Sequence, residues 1–112
     1  MKMVVAVVRP NKLDSIKKSL EEEGVRGITI SEARGHGRQK GQIRMAQEQE
    51  GSIDLLPKTR IGMAVPDDQV EKVIQAILDS ARTGEVGDGK IFILPMQTAY
   101  RIRTGETGTD AL

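Results

Sequence analysis

Cysteine, histidine and aromatic residues are scarce in this chain, and each scarcity excludes a class of function. The 112 residues contain no cysteine, which excludes disulfides, thiolate zinc sites and a cysteine nucleophile within the chain. The single histidine, His36, has no second soft ligand near it, so we interpret it as a loop or packing residue. Phe92 and Tyr100 are the only Phe, Tyr or Trp residues, too few for a sheet that stacks RNA bases on exposed rings.

The chain also lacks an excess of charge and a long apolar run. Lys and Arg number 17 and Asp and Glu 16, and this net charge of +1 argues against dedicated binding to nucleic acid or membrane surfaces. The apolar run at residues 3–8 is too short for a signal peptide or a membrane span, so we expect a cytoplasmic protein. A chain of this length fits a single domain, residues 1–112, of modest stability that oligomerisation would increase.

Hydrophobic periodicity predicts a first βαβ unit. Residues 3–8 are mostly β-branched, as expected of a strand in the middle of a sheet. After Pro10, Asn11 is predicted to cap a helix that ends at Gly24. The apolar stripe of this helix comprises Leu13, Ile16 and Leu20. Residues 27–33 alternate apolar and polar side chains, which predicts a half-buried strand.

The second half of the chain repeats this pattern. Residues 58–65 predict a strand, and Asp68 with Glu71 is typical of a capping box that opens a second helix. The apolar stripe of that helix comprises Val70, Val73, Ile74, Ile77, Leu78 and Ala81. Residues 91–94 predict a fourth strand and residues 99–103 a short fifth. The order of elements predicts an α+β fold of the ferredoxin-like βαβ-βαβ type.

Two segments show no regular hydrophobic periodicity. About twenty residues between the second and third strands form a loop of a length that is expected only where the loop is functional. Its base is rich in glycine and cations and its remainder in Gln and Glu, which predicts a mobile arm with a solvated tip. The polar tail, residues 104–112, is expected to be disordered unless another subunit holds it.

Three segments could bind an anion. Gly84 to Lys90 matches half of a Walker A motif, but it leaves a helix and enters a strand, the reverse of a P-loop, so we reject that motif. Its glycines still suit a nest of backbone N–H groups, although a plain helix end and turn is equally compatible. Arg101 and Arg103 would share one face of the fifth strand, which suits phosphate or a charged edge. Residues 35–41 combine glycines with cations. No nucleophile–base pair is evident, so we predict no catalytic residue.

Longer motifs resemble the PII nitrogen-regulatory family, and the resemblance covers residues 1–112. The motifs are Gly35-His-Gly-Arg-Gln-Lys-Gly41, Leu56-Pro57-Lys58, Val65-Pro-Asp-Asp-Gln-Val70, Ala81-Arg-Thr-Gly-Glu-Val-Gly-Asp-Gly-Lys-Ile-Phe92 and Arg101-Ile-Arg-Thr-Gly-Glu106. The segment from residue 83 to residue 92 is the most specific of them.

This resemblance implies a homotrimer in which ATP and ADP compete for a cleft between subunits. It also implies a nucleotide-binding B-loop at residues 82–90. The nucleotide-binding residues that it implies are Thr29, Gly35, Gly37, Arg38, Gln39, Ala64, Gly87, Asp88, Gly89, Lys90, Arg101 and Arg103.

The resemblance further implies an effector and a target. In the family, 2-oxoglutarate binds together with Mg-ATP, and Gln39 would help to ligate the magnesium. The effector-binding residues are Arg9, Gln39, Lys40, Gly41 and Lys58. The long loop would be the T-loop, about residues 37–56, which reaches a target such as an ammonium transporter or a regulated enzyme.

The chain departs from the family pattern at the tip of the predicted T-loop. Residues 46–51 read Ala-Gln-Glu-Gln-Glu-Gly, so Gly51 replaces the tyrosine that many relatives have for nucleotidylation. Gln49 replaces a serine that is phosphorylated in others, and Gly62 replaces a frequent glutamate. Three functions therefore remain open. They are a PII sensor of ATP, ADP and 2-oxoglutarate, a PII-like paralogue for carbon, metal or nitrogenase control, and an acylphosphatase-type or nucleotide-hydrolysing enzyme on the same fold.

Overall fold

A computed structural model describes residues 1–35 and 56–112. The strands in these two segments are β1 (Lys2–Val8), β2 (Thr29–Gly35), β3 (Leu56–Val65) and β4 (Gly89–Pro95). The α-helices are α1 (Leu13–Glu22) and α2 (Val70–Ala81). Short 3₁₀ turns are Pro10–Lys12, Asp67–Gln69 and Gly108–Ala111.

The strands form one antiparallel sheet in the order β2-β3-β1-β4. This order and the two crossover helices confirm the ferredoxin-like α+β prediction, with β1 in the middle of the sheet. At one end of β1, Val8 lies opposite Thr59 of β3 and Gly89 of β4. The register therefore brings Arg9, which follows β1, close to Lys58 and to the start of β4.

Both helices pack on one face of the sheet. Val4, Ala6 and Val8 of β1 point into this core, where they join the apolar stripes of α1 and α2. The core comprises Val4, Ala6, Val8, Ile16, Leu20, Ile61, Met63, Val65, Val70, Val73, Ile77 and Ala81. Both predicted stripes are confirmed, because Leu13 and Ile74 pack against this cluster and Leu78 is half-buried. Across residues 1–35 and 56–112, no helix has the length and apolar character that crossing a membrane requires.

The opposite face of the sheet is apolar along β1 and β4. Met3 and Val5 alternate with the core residues of β1, and they lie opposite Leu94 and Phe92 of β4. Phe92 and Leu94 are 48% and 46% exposed. We call this surface the open sheet face. Its exposed apolar area is the kind that a second subunit covers.

The predicted helix caps are wrong at both helices. Asn11 lies in a 3₁₀ turn before α1, and Asp68 lies in a 3₁₀ turn before α2. Neither helix has a side-chain cap hydrogen bond. The backbone amide of Lys12 donates to Arg9, and that of Gln69 to Pro66, so backbone turns lead into the helices in place of side-chain caps.

The predictions for β2 and for the end of the chain also need correction. The side chains of β2 are mostly exposed rather than half-buried, because this strand lies at the sheet edge. Residues 99–103 form no fifth strand. Tyr100 makes a single bridge to Thr107, and the amides of Arg101 and Gly105 close a tight turn. The tail is bound to its own chain, since Arg101 donates to the carbonyl of Leu112.

Candidate functional site

The B-loop connects α2 to β4 through three glycines with positive φ. Gly84, Gly87 and Gly89 have φ of 86°, 106° and 98°. At Gly89 the backbone also passes close to β1, because a Cβ placed there would lie 1.8 Å from the carbonyl oxygen of Val7. Only glycine fits this position, so the start of β4 is held directly against β1.

The carboxylate of Asp88 organises the B-loop. It accepts hydrogen bonds from the amides of Thr83 and Gly84, both at 2.9 Å, and from the Thr83 hydroxyl. Partial burial favours the protonated acid, but these donors together with Arg9 outweigh that effect and hold the pKa of Asp88 below its usual range. The carboxylate is therefore ionised at neutral pH and closes residues 83–88 into a turn.

Two cations from the sheet hold the B-loop from outside. Arg9 donates through Nε to Asp88 at 3.1 Å and through Nη2 to the Val86 carbonyl at 2.8 Å. Lys58 donates through Nζ to the Gly87 carbonyl at 3.0 Å. Burial lowers the pKa of Lys58, the nearby Arg9 guanidinium lowers it further, and the Asp88 carboxylate opposes both. The loop is thus tied to β1 and to β3 by charged donors.

Gly35 lies beside this cluster at the end of β2. A Cβ on Gly35 would lie 2.9 Å from Cγ of Lys58, so the aliphatic stem of the lysine passes directly over the glycine backbone. The sheet thereby brings together Arg9, Gly35, Lys58 and the B-loop, which we call the sheet-end cluster. The side chain of Lys90 is exposed and has no hydrogen bond or ion pair to the described residues.

A separate cleft of about 780 Å³ contains two of the other predicted contacts, Thr29 and Ala64. Thr29, Gly62 and Ala64 line it, together with Thr109, Ala111 and Leu112 of the tail. Arg101 lies next to this cleft and is engaged within its own chain. Its guanidinium contacts Glu106 at 3.1 Å and the Leu112 carbonyl at 3.0 Å.

Arg103 differs from Arg101 in its surroundings. It lies in the exposed turn before Gly105 and makes no hydrogen bond or ion pair with the described part of the chain. With no fifth strand, the two arginines do not share a strand face. Arg103 is consequently the more available cation of the pair.

The cleft and the sheet-end cluster are far apart within one chain. Ala64 lies opposite Met3, whereas Gly89 lies opposite Val8. Five residues of antiparallel strand separate these positions by about 17 Å, and β3 and β4 are also on opposite sides of β1. The two groups of predicted residues therefore do not form one pocket in a single chain.

Comparison with known proteins assigns the chain to a family. The sequence model of the family described as nitrogen regulatory protein P-II matches residues 1–106. This chain belongs to the P-II family. The nitrogen regulatory proteins P-II of Bradyrhizobium diazoefficiens, Azospirillum brasilense and Rhodobacter capsulatus are 48%, 47% and 47% identical to it, each over 112 residues and all of both chains.

Family membership confirms the resemblance and part of the function. P-II proteins are signalling proteins of nitrogen metabolism, not enzymes, and the chain has a nitrogen-signalling role. The hydrolase alternative is therefore set aside. Several predicted nucleotide- and effector-binding residues lie outside the described residues, namely Gly37, Arg38, Gln39, Lys40 and Gly41, and so do His36 and Ser52.

Sequence reasoning missed Thr83, a residue that organises the B-loop. Thr83 lies two residues after the end of α2 and supplies two donors to Asp88, five positions later. A Thr at a helix end with an Asp after the next glycines is a signal for such a side-chain turn. The side chain of Asp88 is occupied by these donors, and its negative charge would repel phosphate, which leaves only the backbone of residue 88 for an anion.

Proposed function

We propose that this P-II protein is a cytoplasmic homotrimeric sensor that binds ATP or ADP between subunits and 2-oxoglutarate together with Mg-ATP. Ligand occupancy selects among conformations of the T-loop, about residues 37–56, which contacts an ammonium transporter or a regulated enzyme. The observation that carries this proposal is the separation of the two groups of predicted residues within one chain. Each chain holds two incomplete halves of a nucleotide site.

A second copy of the chain completes the site. The cleft with Thr29 and Ala64 is suited to a flat base, because apolar side chains line it together with polar groups such as the Thr29 hydroxyl and the Arg60 guanidinium. The sheet-end cluster supplies glycine amides and Lys90 for phosphates. When the cleft of one subunit packs against the sheet-end cluster of the next, we expect Arg103 to lie near Lys90. The apolar open sheet face supports such an assembly.

Arg103 and Lys90 are the side chains best placed to meet phosphate charge. Both are exposed, and neither has an ion-pair partner among the described residues, so phosphate does not have to displace an existing contact. Arg101 would first have to leave Glu106 and the Leu112 carbonyl. We therefore assign the larger contribution to Arg103 and the smaller one to Arg101.

Calorimetric titration of ATP tests the nucleotide site. A charge-assisted contact to phosphate contributes about 1.5–3 kcal/mol, so Arg103→Ala and Lys90→Ala should each weaken ATP binding by roughly tenfold or more. Lys72→Ala, which removes the same charge from the exposed side of α2, is the matched control and should bind like the wild type. Unchanged affinity in both Arg103→Ala and Lys90→Ala would refute the site.

The proposed binding of 2-oxoglutarate rests on Lys58 and Arg9. Both cations lie beside the B-loop, and the two carboxylates of 2-oxoglutarate suit such a pair. Magnesium bound to the nucleotide phosphates and Gln39 would supply the remaining positive charge. Binding of 2-oxoglutarate therefore requires Mg-ATP, and ADP does not replace it.

Titration of 2-oxoglutarate in the presence of Mg-ATP tests the proposed 2-oxoglutarate site. Lys58→Ala should abolish binding of 2-oxoglutarate. It should also weaken ATP by up to about fivefold, because the hydrogen bond to the Gly87 carbonyl contributes about 1 kcal/mol to holding the B-loop. Equal 2-oxoglutarate binding with ADP would contradict the proposal.

A paralogue with another effector is the second candidate, and residues 46–51 favour it. That segment lacks the tyrosine at position 51 that many relatives have. Normal ATP binding with no response to 2-oxoglutarate would select the paralogue function in carbon, metal or nitrogenase control.

A further inference from the structure

Arg9 is more deeply engaged with the B-loop than an effector contact requires. It follows β1, and its side chain is only 21% exposed although it carries a charge. The guanidinium donates to the Asp88 carboxylate and to the Val86 carbonyl, which lie on the two sides of Gly87. A charged side chain that is largely withdrawn from water keeps such contacts because losing them leaves it poorly solvated.

We propose that Arg9 is a positioning residue for the nucleotide phosphates, whether or not a dicarboxylate is bound. It acts through Asp88 and Val86, whose positions set the direction in which the amides of Gly87 and Gly89 point. This inference rests on the proposed nucleotide site and assigns Arg9 a role in it, in addition to the effector role.

The different contacts that each hydrogen-bond donor makes with the B-loop support this assignment. Thr83 and Gly84 close the B-loop on itself through Asp88, so the turn can form without any help from the sheet. Arg9 adds the contact between that turn and the end of β1. Lys58 adds a second contact, from β3 to Gly87. Without Arg9 the turn survives and its orientation relative to Gly89 becomes less defined.

The residue type is specific for this role. Arg9 uses Nε for the carboxylate and Nη2 for the carbonyl, two donors on one rigid plane. A lysine ammonium at the same position could keep the ion pair with Asp88 but not the same pair of directions. A dicarboxylate that takes the guanidinium must compete with Asp88 and Val86, which links effector occupancy to the geometry of the nucleotide loop.

ADP titration without any dicarboxylate tests the proposal, since neither the γ-phosphate nor 2-oxoglutarate then contributes. Arg9→Met should weaken ADP by about five- to tenfold, less than the loss of a direct charge-assisted contact to phosphate, because Arg9 acts on the phosphates only through the loop. Arg9→Lys should recover part of this loss. In an Asp88→Asn background, Arg9→Met should add less than about twofold, because residues that act through one another are not additive.

A readout separate from affinity distinguishes positioning from general stability. In nucleotide-free protein, Arg9→Met should shift the amide resonances of Gly87 and Gly89 and leave those of α1 in place. Additive losses in the double variant, or wild-type ADP affinity in Arg9→Met, would overturn the inference. Lys90→Ala measured in the same series distinguishes failure of this inference from failure of the proposed nucleotide site. If Lys90→Ala weakens ADP and Arg9→Met does not, only this inference fails, whereas unchanged ADP affinity in both Lys90→Ala and Arg103→Ala refutes the nucleotide site itself.

Discussion

Two glycines show how backbone geometry defines the site at the level of single residues. Gly35 leaves room for the stem of Lys58, and Gly89 lets β4 approach the Val7 carbonyl. The glycine-rich composition of residues 35–41 and 84–90 predicted anion-binding backbone, and the structure brings Gly35 and the B-loop into the sheet-end cluster. The reason for each individual glycine could not be read from the sequence. It depends on the pairing of β1 with β4 and of β2 with β3, which joins residues distant along the chain.

Gly89→Ala should destabilise the protein much more than Gly84→Ala. Both positions have positive φ, which costs a non-glycine residue about 1–3 kcal/mol. At Gly89 the new methyl group would also meet the Val7 carbonyl at 1.8 Å, whereas nothing lies within 4 Å of a Cβ at Gly84. Denaturant unfolding of both variants measures the difference. Equal loss of unfolding free energy in the two would show that the contact between β1 and β4 at Gly89 is not as close as described.

At the level of elements, hydrophobic periodicity predicted the helices and the central strand correctly, whereas the sequence signals for helix caps did not predict how the helices begin. The apolar stripes of α1 and α2 and the central place of β1 are confirmed, because burial follows side-chain spacing. The caps and the fifth strand are wrong, because local backbone hydrogen bonds decide those segments. Backbone 3₁₀ turns start the helices, and the Arg101–Glu106 turn replaces a strand.

The B-loop should have an acid-dependent stability that comes from Asp88. Partial burial disfavours the carboxylate, but hydrogen bonds from Thr83, Gly84 and Arg9 outweigh it and lower the pKa of Asp88. The lowered pKa stabilises the folded state fully above the unfolded value of about 4, and this stabilisation is lost as pH falls through the folded value. Urea unfolding of the wild type and of Asp88→Asn measures it across pH.

The difference in unfolding free energy between these two proteins should be constant from about pH 7 to about pH 5 and should narrow below about pH 4. Asp88→Asn keeps the size of the side chain and removes its titration, so it is the control for every other acidic group. A difference that already closes between pH 7 and pH 5 would contradict the pKa direction.

At the level of the whole molecule, the single chain presents surfaces that an assembly would use. The open sheet face exposes Phe92 and Leu94, and Ile102 is fully exposed in the turn between the two arginines. Chain length alone predicted that association would stabilise a domain of this size, whereas the number of subunits came only from the family resemblance. Physical reasoning locates two separate groups of candidate residues, and the ligand proposed for them comes from the family resemblance.

Regulation by covalent nucleotidylation is not expected for this protein, because no suitable phenol is present in the T-loop. Position 51 is Gly51, and Ser52 is the only hydroxyl residue between Gly37 and Leu56. Tyr100 is the only tyrosine of the chain. Its position just after the fourth strand predicts that it belongs to the folded body, out of reach of a modifying enzyme, but its side chain is 70% exposed, so its accessibility must be controlled for.

Intact-mass measurement of the protein from nitrogen-starved and nitrogen-replete cells checks this expectation, with Tyr100→Phe analysed in parallel. The wild-type mass should be the same in both conditions, so that signalling follows ligand occupancy alone. A nucleotidyl mass shift mapped to residues 37–56 would show the expectation to be wrong. A shift that disappears in Tyr100→Phe would instead place the modification beside Arg101 and Arg103, where the added phosphate would compete with the nucleotide for the same cations.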